Sequence, residues 1–212
     1  LKAINTPNPD PQTLAEAYIS YYEKFEAKPI YIDSARFYLN KSNNNSSRHF
    51  NNSIWLPFLQ GKYAEITALA IQKSPDQITD AWTAYRIGEA FNNQQNVQKS
   101  YDYFKRACAL SKYNLDFEDK YATAAAILGN TAEAQGIFEF ILKENPKYVP
   151  SLANLGYLYL TQNRVKEAEV LYNRALALDP DNETALMNKA GLYLYLKQPE
   201  KAKVILLDII HK

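Results

Sequence analysis

The chain has 212 residues, and its 24 basic against 23 acidic side chains leave a formal charge of +1, so it carries no field that would draw nucleic acid or an anionic membrane. One Cys, one Met and two His argue against a disulfide framework, a cysteine metal site and a His-based relay. The apolar share of 47% is spread at helical spacing with 17 Tyr, and no run of about 18 apolar residues exists to span a bilayer.

Leu1 to Pro11 holds three Pro and two Asn without a helical period, which predicts an extended lead-in over 1–11. Leu1 stands where an initiator Met would, with no basic and apolar leader after it, so a fragment or processed product is expected. A first helix is predicted from Pro11–Thr13 to Ala27, because Leu14, Tyr18, Tyr21, Tyr22 and Phe25 form a stripe at steps of three and four. Ala27-Lys28-Pro29 breaks it, and a second helix carries Ile30, Ile32, Phe37 and Tyr38 before the polar run Lys41 to Asn45. Asn45-Ser46-Ser47 matches a glycosylation acceptor, a match that an Asn-rich loop produces by chance. Helices are then expected over Ser47 to Gln60 and Tyr63 to Ser74, with Pro57 inside the former, where it removes a backbone hydrogen bond and kinks the axis.

Val149 to Asn182 is the most regular stretch, with Leu152, Leu155, Gly156, Tyr159, Ala168, Tyr172, Ala175 and Pro180. Gly156 and Ala168 are small enough for two antiparallel helices to touch, and Tyr159 and Tyr172 fill the space on either side. Steps of that stretch's own length, forward from Val149 to Glu183 or back to Leu115 and Ala81, return to the same chemistry. Glu183 opens a copy with Leu186, Ala190, Tyr193, Ala202, Leu206 and Ile209; Leu115 opens one with Tyr121, Ala122, Ala134, Phe138, Ile141 and Pro146; Ala81 opens one with Ile87, Gly88, Phe91, Ser100, Phe104 and Ala107. Ala27, Gly61, Gln95, Gly129, Asn163 and Lys197 keep the same interval at the turns. Gly and Asn suit a left-handed backbone there, while Gln95 and Lys197 predict less rigid turns.

The segment 81–212 resembles the tetratricopeptide repeat family, lacking only the leading Trp, which Leu152 replaces in the most regular copy. The resemblance implies an all-α, right-handed superhelical solenoid of about six antiparallel helix pairs. Two diverged pairs over 12–80 would precede repeats at 81–114, 115–148, 149–182 and 183–212 in one continuous array. It also implies a concave groove for a peptide or protein partner. A narrower resemblance rests on Tyr22 to Glu26, Asp33-Ser34-Ala35, Ala81-Trp82 with Tyr85 to Phe91, and Asn145 to Pro150. These look like the repeat region attached to some bacterial multihaem c-type cytochromes, which implies an extracytoplasmic parent with haem modules outside this segment. No Cys-Xaa-Xaa-Cys-His occurs here, so no haem is expected to bind.

No catalytic, cofactor or metal residues are expected. His49 and His211 lie at opposite ends of the register; Cys108 reads as a small buried core residue; Asp116, Glu118 and Asp119 sit at a helix start, where the backbone dipole favours carboxylates. The groove is expected on the first helix of each pair, from residues not committed to inter-helix packing. These are Trp82, Tyr85, Arg86, Glu89 and Asn92 or Asn93; Asp116, Asp119, Lys120, Thr123 and Ile127; Ala153, Asn154, Tyr157 and Thr161; Thr184, Met187, Asn188, Gly191 and Tyr195. Chaperone-binding members of the family hold a terminal carboxylate with Lys and Asn on the first inner helix, Asn on the second and Lys with Arg on the third. Tyr85 and Glu89 stand where the first Lys and Asn should be and Asp119 adds negative charge, so that mode of tail capture is not expected. Val204 to Ile210 is apolar nearly all round, which leaves two readings: a capping helix beyond Lys212, or a homodimer through Val204, Leu207 and Ile210.

Overall fold

The computed structural model describes residues 9–25, 27–43 and 45–211; most of the expected lead-in and the side chain of His211 lie outside the description. The described residues form twelve α-helices and one short 3-10 turn, with no strand, and fall into two compact units, 1–112 and 113–212. The first unit contains α1 (Pro11–Lys24), α2 (Pro29–Lys41), α3 (Ser47–Leu59), α4 (Tyr63–Ala70), the 3-10 turn Pro75–Gln77, α5 (Ala81–Asn93) and α6 (Val97–Leu110). The second contains α7 (Leu115–Ile127), α8 (Thr131–Glu144), α9 (Val149–Thr161), α10 (Val165–Leu178), α11 (Glu183–Tyr195) and α12 (Pro199–His211).

Side-chain caps fix several of the starts. Asp10 accepts from the Thr13 amide at 3.1 Å, Asp80 from Thr83 at 2.7 Å and Asn182 from Ala185 at 3.0 Å, each satisfying a backbone donor that the first turn leaves open. The turns of the second to sixth helix pairs obey one rule. Gly61, Gln95, Gly129, Asn163 and Lys197 all have φ between 57° and 83°, each one repeat length after the last. Gln95 and Lys197 adopt the left-handed backbone despite their side chains. Tyr113 (φ 66°) is the one out-of-register residue of this kind among those described, and it lies where the two units meet in sequence.

Two helices end sooner than their periodicity predicts. α1 stops at Lys24 rather than Ala27, and α4 stops at Ala70 rather than Ser74. After α4, side chains of α6 hold the connection: the Tyr103 hydroxyl donates to the carbonyls of Ala70 (3.3 Å) and Lys73 (2.8 Å), and Arg106 donates to those of Ile78 (2.8 Å) and Asp76 (3.2 Å). With Pro75 opening the 3-10 turn, the chain is drawn onto α6 instead of continuing the helix. Pro57 lies in the last turns of α3, which runs through it to Leu59.

Within each unit, paired helices pack together and each second helix covers the next first helix, as α2 on α3, α4 on α5, α8 on α9 and α10 on α11. The first helices run side by side, α1–α3–α5 in one unit and α7–α9–α11 in the other, and form an inner wall in each. The paired contact is set by size. A Cβ on Gly88 would stand 2.6 Å from the Phe104 ring, and one on Gly156 would stand 2.6 Å from Tyr172, so only glycine admits these buried rings. Ile54 and Ala70 are the register equivalents of Gly88 and Phe104, each one repeat earlier. Both are fully buried with the sizes reversed, the bulk on the first helix and the methyl on the second.

Candidate functional site

Each inner wall carries a cleft. That of the second unit encloses about 580 Å³ between Thr123, Ala126 and Ile127 of α7, Asn154, Tyr157 and Thr161 of α9, and Thr184 and Asn188 of α11. Asp119 lies beneath it, 5% exposed, accepting from Ser151 Oγ at 2.6 Å and Asn154 Nδ2 at 3.2 Å. The Asn154 amide also donates to Thr123 Oγ1 at 3.2 Å, and Asn188 Nδ2 donates to the Ala153 carbonyl at 3.2 Å. Both asparagine NH2 groups are therefore bound by the protein, which fixes the amide planes. Burial pushes the Asp119 carboxyl up to about 6, against the opposing pull of Ser151, Asn154 and Lys120, while Asp116 adds to the rise.

The cleft of the first unit encloses about 320 Å³ between Glu16 and Ser20 of α1, Arg48, Asn51, Asn52 and Trp55 of α3, and Asp80, Trp82 and Arg86 at α5. Glu16 is saturated: Arg48 forks onto it with two donors at 2.5 Å each, and Asn52 Nδ2 adds a third at 3.1 Å. Asp80 caps α5 through the Thr83 amide. The Arg86 guanidinium lies 4.8 Å from the centroid of Trp55 and 5.8 Å from that of Trp82, with Phe58 at 6.0 Å. Burial lowers its proton affinity, and Glu23 and Asp80 raise it from a distance. Among the described residues it makes no hydrogen bond or ion pair.

The residues expected in a groove are thus distributed unevenly. Trp82 and Arg86 line the first cleft; Thr123, Ile127, Asn154, Tyr157, Thr161, Thr184 and Asn188 line the second. Tyr85 is half-buried between Trp82 (5.7 Å) and Phe104 (5.8 Å), and Glu89 and Lys120 are also half-buried. Asn92 and Asn93 are exposed at the end of α5, and the Tyr195 hydroxyl reaches Asn163 Oδ1 at 2.9 Å, outside both linings. Three placements differ from expectation. Ala153 is fully buried; Asp119 is beneath the wall instead of on it; Cys108 is partly exposed instead of buried, because its face of α6 is turned away from the fully buried Ala107. Arg48, Asn52 and Trp55 were not anticipated, although they stand one repeat before Trp82, Arg86 and Glu89 respectively. Among the described residues no cluster of three His, Cys, Asp or Glu could hold a metal, and no helix is long and apolar enough to cross a membrane.

Residues 149–182 match the family model described as tetratricopeptide repeat. Over 155 residues the chain is 23% identical to the protein O-mannosyl-transferase TMTC3 of Mus musculus, covering 65% of this chain and 16% of that protein. Over 61 residues it is 39% identical to the uncharacterized protein ycf37 of Pyropia yezoensis, covering 29% of this chain and 34% of that one. The chain therefore spans only a minor part of these relatives. Among solved structures it is similar to MamA from Desulfovibrio magneticus RS-1, with a TM-score of 0.62 and 13% identity over 79% of this chain and 94% of that one. It is also similar to the Arabidopsis OM64 TPR domain, with a TM-score of 0.50 and 22% identity over 54% of this chain and 95% of that one. At these identities the structural likeness carries the fold.

Proposed function

We propose that this chain, whose residues 149–182 match the tetratricopeptide repeat model, is a non-catalytic scaffold holding an extended peptide segment of a partner protein against the inner wall of its second unit. The observation that carries the reading is the cleft of the second unit. Asn154 and Asn188 give their NH2 groups to Asp119 and to the Ala153 carbonyl, so each leaves an amide oxygen as acceptor. An extended peptide has backbone N–H donors at regular spacing to meet them, and Ile127 (61% exposed) and Tyr157 (53%) supply apolar area beside the amides. The acidic groups near the clefts are committed to structure: Glu16 to Arg48, Asp80 to its cap, Asp119 to Ser151 and Asn154. That supports binding over chemistry.

Peptides selected from a displayed random library against the full chain test this. Their affinity should fall about tenfold or more in a Tyr157→Ala, Asn188→Ala variant of unchanged helicity. Selected peptides that bind the variant equally well would remove the cleft from the reading.

A second reading, self-association or a spacer role within a larger protein, is favoured by α12 alone. Val204, Leu207 and Ile210 are 69%, 43% and 75% exposed along it. Light scattering decides this: a monomer at high concentration counts against the homodimer.

A further inference from the structure

We propose that Asp119 is a proton-operated switch for the second cleft: ionised, it holds the Asn154 amide with its oxygen turned to the partner, and protonated, it turns that amide over so that the NH2 group faces the partner. The proposal rests on the scaffold reading, in which Asn154 offers an acceptor to an extended backbone, and adds how that contact is controlled. Asp119 is buried beneath the wall, and the groups that touch its carboxyl are neutral donors. Ser151 Oγ donates to Oδ1 at 2.6 Å and Asn154 Nδ2 to Oδ2 at 3.2 Å. An ionised carboxylate only accepts, so it dictates which end of the amide is turned toward it. A carboxyl that has taken a proton also donates, and one of the two neighbours must then accept.

Ser151 is fully buried and already gives its hydrogen to Oδ1, so a proton placed there would face another donor. Asn154 is half-buried at the cleft edge, and half a turn of its amide sets the oxygen where Nδ2 was, to accept the new O–H from Oδ2. Thr123 permits the rotation. Its hydroxyl accepts from Asn154 at 3.2 Å and donates to the Asp119 carbonyl at 2.8 Å, and a hydroxyl can donate to the turned amide oxygen instead. Asn188 cannot follow, since the Ala153 carbonyl that holds its NH2 group only accepts. The ionised wall therefore offers a backbone two acceptors, and the protonated wall one acceptor and one donor.

The charged surroundings set where the change falls. On its own helix Lys120 favours the ionised carboxyl, and Asp116, which accepts from the Tyr148 hydroxyl, opposes it. The neighbouring α9 carries no charged side chain, with Lys147 just before it; on α8, Glu133 accepts from Tyr121 and Glu139 from Gln135, and Lys143 and Glu144 lie in the last turn. Burial outweighs these influences and raises the Asp119 carboxyl to about 6. The partner-bound state needs the ionised form, so affinity is full above that value and falls as pH drops through it.

The probe is a peptide recovered from the displayed library, chosen without ionisable residues and resynthesised with blocked ends, so that only the full chain titrates. Between about pH 7.5 and about pH 5 its affinity should fall about tenfold, as one hydrogen bond is lost and a donor is set against a donor. Asp119→Asn carries a permanent NH2 donor and should bind weakly at both pH values, with helicity checked by circular dichroism. Equal affinity of the parent at the two pH values, a pH dependence that persists in Asp119→Asn, or tight binding by that variant at the higher pH overturns the switch. A second measurement needs no peptide. In the free chain the side-chain NH2 resonances of Asn154 and Asn188, assigned by their loss in Asn154→Ser and Asn188→Ser, exchange with water. The ratio of the Asn154 rate to the Asn188 rate should rise severalfold at the lower pH, because only Asn154 is released; an unchanged ratio overturns the rotation. A library without binders removes the scaffold reading and leaves this ratio to decide the switch, whereas a binder insensitive to pH leaves the scaffold standing and removes the switch.

Discussion

The two clefts are built on equivalent walls of first helices but treat charge in opposite ways. In the second unit the ionisable group, Asp119, is buried under the wall and its hydrogen bonds lock Asn154 in place, so the surface above is neutral, made of amides, hydroxyls, Ile127 and Tyr157. In the first unit the ionisable groups line the cleft itself, Glu16 pairs with Arg48, Asp80 caps α5, and Arg86 lies over the Trp55 ring. A shared repeat geometry therefore fixes where the walls are without fixing what they recognise. The same register position holds Asn52, Arg86, Lys120, Asn154 and Asn188 in successive repeats, and the chemistry of each cleft follows from what surrounds that position.

The comparison breaks most sharply at the glycines. Gly88→Leu and Gly156→Leu each drive a side chain into a buried ring, and each should lower stability by about 3 kcal/mol or more, read by chemical denaturation. A large loss in only one would show that the two contacts are not equivalent. Next comes Asp119, for which the first-unit wall has no buried counterpart in the described structure. Its folded pKa of about 6 lies above the ordinary carboxyl value, so the folded chain takes up a proton before the unfolded chain does. The favourable contribution is complete below about pH 4 and is lost as pH rises through 6. Asp119→Asn should therefore gain stability relative to the parent between pH 4 and 8, by roughly 2 to 3 kcal/mol across that span. A pH-independent difference between the two proteins would contradict the assignment. The smallest effects are stabilising. Tyr172 buries a hydroxyl without a hydrogen-bond partner where Phe104 and Phe138 stand in other pairs, so Tyr172→Phe should raise stability by about 1 kcal/mol. Gly191, with open space around its Cβ position inside α11, should gain about 0.5 to 1 kcal/mol on Gly191→Ala, read as an upward shift in Tm.

Helix pairing and turn positions were legible because they depend on local features: small residues at 88, 122, 156 and 190, and a left-handed residue once per repeat. The early end of α4 was not, because Tyr103, distant in sequence, donates to the Ala70 carbonyl at its end, and with Arg106 it holds the chain that follows onto α6. Of the eleven residues that line the second cleft, seven are among those read from α7, α9 and α11, while Thr131 and Phe138 come from α8. Most of the first was missed, with only Trp82 and Arg86 of its nine lining residues expected, because the inner faces of α1 and α3 were not projected from the clear repeats. Asp119 was placed on the surface because helical spacing gives direction around an axis, and burial depends on how closely Ser151 of the neighbouring helix approaches.

The reversed sizes at Ile54 and Ala70 bear on how such an array can change by recombination. A crossover that joined α3 to α6 would oppose Ile54 to Phe104, two bulky groups in space shaped for one. The reciprocal product, joining α5 to α4, would oppose Gly88 to Ala70 and leave a void. The two halves of each hairpin are matched in size to one another and are not interchangeable across that boundary.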